Sequence, residues 1–205
     1  MKSVVLLSFR LNFFIAVFIP LIVQSQKIAS ELKDKLSEMN MRFNMPSDYV
    51  VRDSGVYFIC GDGKIPPPIM YNIIKKDKSI IIAIHIQVRP TENEINKIRG
   101  FFNPNFDPDS NYFYHAMAYA TGENHKFIQL GRNYVKKHFN ADGAILYIQN
   151  CNIPVDNIYA HNKEIAISKN GRGFVNITYL YTDAMTEKEI GNEILKTVNM
   201  IWYNN

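Results

Sequence analysis

Three residues at alternate positions, His85, Gln87 and Arg89, close an extended apolar run. Alternate residues of a strand share a face. The trio would set an imidazole that titrates near neutrality beside an amide and a fixed guanidinium. That set could bind a carboxylate or a partner's backbone. The competing reading is an ordinary solvated sheet face. A site assembled from distant residues such as His85, Asp107 and His115 would be hydrolytic, and no local motif supports it.

The other constellations fail on spacing. Asp107-Pro108-Asp109-Ser110-Asn111 imitates the start of a calcium loop, but Tyr112 stands where that loop needs Gly and Ala118 where it needs a bidentate Glu. A turn with a helix cap is the better reading. No two of His85, His115, His125, His138 and His161 have the i,i+4 spacing of a helical zinc site. Gly61-Asp62-Gly63-Lys64 is followed by Ile65 where a phosphate loop needs Ser or Thr. There is no G-x-S-x-G elbow. Nothing local supports a thiol nucleophile at Cys60 or Cys151. The expectation is a non-enzymatic protein with no metal and no cofactor, whose binding residues are His85, Gln87 and Arg89.

The elements that would position these residues read as follows. Residues 27–39 form an amphipathic helix, with Ile28, Leu32, Leu36 and Met39 on one side. Short strands are expected at 41–45 and 55–60, separated by the turn Pro46-Ser47-Asp48. Residues 69–74 and 80–88 form a hairpin about a polar turn, with Ile80, Ile82, Ile84 and Ile86 inward. Thr91 and Glu94 form a capping box. The helix that follows should turn Ile95, Ile98 and Phe102 to one side. Residues 112–121 fit helix or strand. Residues 125–139 read as a helix with Phe127, Leu130, Tyr134 and Val135 inward, although Gly131 inside it costs about 1 kcal/mol. Residues 144–149 form a strand. Asn170-Gly171 predicts a tight hairpin between 164–168 and 173–181, with both turn residues at positive φ. Thr186 and Glu189 form a second capping box. It opens a helix to about Tyr203, with Ile190, Ile194, Val198 and Ile201 as its stripe. The pattern predicts an α+β fold, an antiparallel sheet flanked by helices.

The N-terminus predicts a destination. Residues 1–10 carry Lys2 and Arg10 and no acid, and residues 11–23 are almost wholly apolar. A basic start, a short apolar run and a small residue at the cut form a secretory signal peptide, assigned to 1–25. The run is short of the roughly 20 residues that span a bilayer. Cleavage would leave 26–205 as a single domain without a membrane span, periplasmic or secreted, and retention as an anchor is the alternative. The 205 residues carry 23 basic and 19 acidic side chains, a net charge of +4. That balance gives no reason to expect nucleic-acid binding. In an oxidising compartment Cys60 and Cys151 could bridge, or Cys60 could be a buried thiol.

The C-terminal half has a familiar order. Ala141 to Tyr147, the hairpin turn Lys169-Asn170-Gly171-Arg172-Gly173-Phe174 and the closing segment Asn199-Met200-Ile201-Trp202 resemble the PsbP-like fold, named for an extrinsic subunit of photosystem II. Met45-Pro46-Ser47-Asp48-Tyr49 is similar too. The resemblance implies an antiparallel sheet flanked by helices and an accessory or binding role without catalytic residues. The functional expectation is an exported binding or accessory protein with a protein partner, an immunity-type protein being one form. The alternative is a small-ligand carrier or sensor, with a groove between the sheet and the 125–139 helix.

Overall fold

The computed structural model describes residues 32–52, 71–119, 127–148 and 156–205. The leader expected at 1–25, the strand expected at 55–60, the loop at 61–68, His125 and both cysteines lie outside them.

The α+β expectation holds. Seven antiparallel strands form the main sheet in the order β2-β3-β4-β8-β7-β6-β5. They are β2 (Tyr49–Val51), β3 (Tyr71–Lys75), β4 (Ile80–Val88), β5 (Phe127–Gln129), β6 (Gly143–Tyr147), β7 (His161–Lys169) and β8 (Gly173–Tyr181). A separate ribbon pairs β1 (Met41–Phe43) with β9 (Ile201–Tyr203). The helices are α1 (residues 32–38), α2 (Glu92–Phe101), α3 (Asn111–Tyr119), α4 (Arg132–Phe139) and α5 (Glu187–Thr197).

The core follows from strand alternation. Ile80, Ile82 and Ile84 of β4 face the same way as Tyr181, Tyr179 and Ile177, their partners on β8. Those side chains pack with Leu32 and Leu36 of α1, Val135 and Phe139 of α4 and Ile190 of α5. Each isoleucine buried there contributes roughly 1.5–3 kcal/mol. The opposite face is covered as well. Ala116 of α3 packs there on Ile145, Tyr147 and Ala166.

Four expectations change in the structure. The helix expected over 125–139 divides into β5 and a shorter α4, because Gly131 sits outside the helix as its N-cap, at φ −61° and ψ 139°. The last helix stops at Thr197 rather than near Tyr203. The Thr197 hydroxyl bonds back to the carbonyl of Glu193 at 2.8 Å, and a 3-10 turn leads into β9. Ile-Trp-Tyr suits a strand, and it finds Met41–Phe43 as its partner, with the Arg42 guanidinium 5.3 Å from the Trp202 ring. Phe102 does not join Ile95 inside. It caps α2 and lies exposed, while Ile95 is buried. The hairpin turn differs also. Three residues separate the paired Lys169 and Gly173, and within that loop only Gly171 takes positive φ. Of residues 112–121, which fit helix or strand in sequence, those up to Tyr119 belong to helix α3, and the strand at 49–51 is additional.

Both capping boxes form as expected. In the second, the Thr186 amide and hydroxyl each donate to Glu189 Oε2 at 2.7 Å. The amide bond, then the hydroxyl, holds the Glu189 carboxyl below its ordinary value of 4.5. A depressed folded value gives stability above pH 4.5 that is lost as pH falls through the folded value. Glu189→Gln should therefore shed less stability in acid than the native chain. Urea titrations from pH 6 downward test this, and parallel pH curves would refute it.

Gly173 has φ +121°, and a Cβ there would lie 2.2 Å from the Gln87 carbonyl oxygen and 2.7 Å from the Arg89 nitrogen. Both obstacles are backbone, one in β4 and one just past its end. Gly173→Ala should cost at least about 2 kcal/mol in chemical denaturation. A loss under half of that would mean the β4–β8 pairing opens readily at this end.

Candidate functional site

The strand that carries His85 and Gln87 belongs to a polar sheet face. Reading across the register, Asn72, Ala83, Thr178, Glu164 and Tyr147 form one row. His85, Asn176, Ala166 and Ile145 form the next. Gln87, Phe174 and Ser168 form a third. Asn72, His85, Glu164, Ser168, Asn176 and Thr178 are all buried. The face is polar yet dry, which is costly unless its groups are hydrogen-bonded.

Glu164 shows how that cost is met. The residue is 1% exposed. Oε1 accepts from the Tyr147 hydroxyl, and Oε2 accepts from the Thr178 hydroxyl at 2.9 Å. Both donors stand directly across from Glu164 in the ladder, one on each neighbouring strand. Directly opposed side chains lie within about 5.5 Å at Cβ, so register alone builds the cluster. Hydroxyls donating to a carboxylate are among the stronger hydrogen bonds.

The three residues singled out in the sequence have different fates. His85 is 8% exposed, and burial pushes its imidazole below the ordinary 6.5. It is part of a packed face, not a solvated one. Gln87 is half-buried. Arg89 has left the strand, and its amide donates to the Arg172 carbonyl at 2.9 Å. Its guanidinium donates to Glu92 at 2.9 Å and lies 3.5 Å from Asp109. Two carboxylates of the chain itself thus hold the cation expected to receive an incoming one.

The calcium-like loop is likewise engaged internally. Asp107 accepts from the Asp109 amide at 3.1 Å and from the Ser110 hydroxyl at 2.5 Å. Asp109 accepts from the Gly171 amide at 2.8 Å, and Asp142 from the Asn170 amide at 3.0 Å. Two carboxylates therefore grip the turn between β7 and β8. Among the described residues no three His, Cys, Asp or Glu side chains group closely enough to hold a metal. Of the proposed hydrolytic set, His85 is on the buried face and Asp107 serves its own loop.

Sequence reading missed Glu164, Thr178 and Asn176. The signal was present: Glu164 and Ser168 share the phase opposite Ile165 and Ile167 on β7, and Asn176 and Thr178 alternate with Val175, Ile177 and Tyr179 on β8. It also missed the outermost surface. Phe101 and Phe102, at the end of α2, are 80% and 85% exposed, with ring centroids 6.5 Å apart. Tyr114 and Met117 of α3 point outward too, while Phe113 packs edge-on against Phe127. A phenylalanine carries about 150–250 Å². Two left in water approach the size of a monomer's largest apolar patch.

A histidine kept neutral by burial gives pH dependence of known sign. The unfolded chain binds its proton near 6.5, whereas the folded chain binds it only at lower pH. Stability from this group is full above 6.5 and declines as pH falls toward the folded value. His85→Asn should flatten the decline between pH 7.5 and 5.5 relative to the native chain. Equal slopes in the two denaturation series would show that His85 does not titrate differently on folding.

No protein-family model matches the chain, and neither a curated protein nor a solved structure is significantly similar to it.

Proposed function

We propose that the chain is an exported, non-enzymatic binding protein, and that it engages a protein partner through the outer surface of α2 and α3. One observation carries this reading: two adjacent phenylalanines stand 80% and 85% exposed on a protein that buries Phe139 and Phe174 almost completely. Aromatic anchors of this kind dominate binding energy once a partner removes them from water. Lys97 and Arg99 precede them on α2. The partner is therefore a surface with an apolar pocket and an acidic rim.

The burial of His85 and the pairing of Arg89 move the weight from the sheet face to these helices. The leader expected at 1–25 would put the encounter in a periplasm-like or secreted space. An antiparallel sheet with helices agrees in class with the PsbP-like resemblance. An accessory or immunity-type role follows from that analogy, since fold alone does not fix function.

The test compares three baits in envelope extract of the source cell: the full chain, Phe101→Asp/Phe102→Asp, and Leu195→Asp. Leu195 is an exposed apolar residue on α5. A stoichiometric partner should be held by the first and third and lost by the second. Melting temperatures of the three should agree closely, since surface changes cost within about 0.5 kcal/mol. The same partner on all three baits would exclude the phenylalanine pair as the anchor.

A further inference from the structure

The chain leaves the β1–β9 ribbon after Phe43 and enters the main sheet at Tyr49. Between these two pieces of sheet lies a pocket of about 250 Å³. Leu32 of α1, Phe43 of β1, Met45, Val51 of β2 and Tyr71 and Ile73 of β3 line it. Leu32 and Ile73 are buried, but Phe43, Val51 and Tyr71 remain half-buried and Met45 is 40% exposed. An apolar wall is thus left partly wet, and an apolar occupant would dry it. An apolar cavity of about 150 Å³ takes a benzene ring. This one has room for a chain of roughly eight carbons. Lys33 is the cation of the lining and is exposed to solvent. Its ammonium would meet a negative group left at the mouth while the tail fills the interior.

We infer that this pocket is a binding site for a small anionic amphiphile, a medium-chain carboxylate or its equivalent. It differs from the groove expected between the sheet and the 125–139 helix. It is built from elements other than those of the partner surface, so either assignment can fail alone. The pocket joins α1, the ribbon and the edge of the main sheet. An occupant therefore touches both the β1–β9 ribbon and the main sheet, which are separate sheets among the described residues.

The probes are octanoate and octyltrimethylammonium, added to the full chain with methyl-labelled methionine and followed by NMR and titration calorimetry. Octanoate should shift the Met45 methyl resonance saturably at one site and bind at least about threefold more tightly than the cation. Val51→Trp fills the pocket and should weaken octanoate about tenfold or more. If that variant does not fold, as judged by circular dichroism, Met45→Trp is titrated by calorimetry for the same loss. Lys33→Glu should reverse the preference between the two head groups. An unmoved Met45 methyl at millimolar octanoate, or unchanged binding to a folded tryptophan variant, would overturn the site. Equal affinity for both head groups would overturn the anionic assignment.

Discussion

Everything in this fold depends on the pairing of β4 with β8. Nine residues of each strand face one another, from Ile80 and Tyr181 to Val88 and Gly173. Every residue of β8 is buried, so neither of its faces can be exchanged for the other. A slip of one residue would place Asn176 and Thr178 among the isoleucines and put Ile177 on the polar face. The strand pair is therefore held in register by what it packs against as much as by its ladder. At one end the close approach of Gly173 to Gln87 and Arg89 allows no side chain between the backbones.

Around that pair the protein uses the same device twice, once on each side. Glu164 is held by Tyr147 and Thr178 within the sheet. Glu193 of α5 accepts from the Tyr49 hydroxyl and from the Lys75 ammonium, each at 3.0 Å. The first carboxylate joins β6, β7 and β8. The second ties the last long helix to β2, at the edge of the sheet, and to β3 beside it. A buried carboxylate of this kind adds little net stability against an apolar replacement, but losing one partner leaves a charge without compensation. Both clusters thus penalise misplacement more than they reward formation. Burial, then Glu193, raises the Tyr49 hydroxyl far above its ordinary range, so it stays a donor at any ordinary pH.

What could be read in the sequence was local. Thr91 with Glu94 and Thr186 with Glu189 announce helix starts three residues apart, and both boxes form. The hairpins at 71–88 and 161–181 follow from short polar turns between β-rich runs. The failures had two sources: element ends set locally, at Gly131, Phe102 and the 169–173 turn, and partners distant along the chain. Ile201–Tyr203 continued a helical stripe convincingly, and only Met41–Phe43 could claim it for a strand. Phe102 kept the helical phase, but the helix ended before it. At the candidate site, alternation placed His85 and Gln87 on one face correctly. Their burial depends on what lies over the face, and the fate of Arg89 on Asp109, twenty residues later.

The ribbon of β1 and β9 sets an order in time. Asn40, just before β1, reaches the carbonyl of Asn205, 165 residues on. Beside it the Tyr203 hydroxyl reaches back into the sheet to the Gly173 carbonyl at 3.2 Å. Translation adds about 5–20 residues per second. The strand made first therefore waits on the order of ten seconds for its mate. Until then α1 and β1 have no ribbon to dock against. Over that interval the nascent chain stays open at this corner, with the apolar faces of Met41 and Ile201 not yet covered by each other's strand.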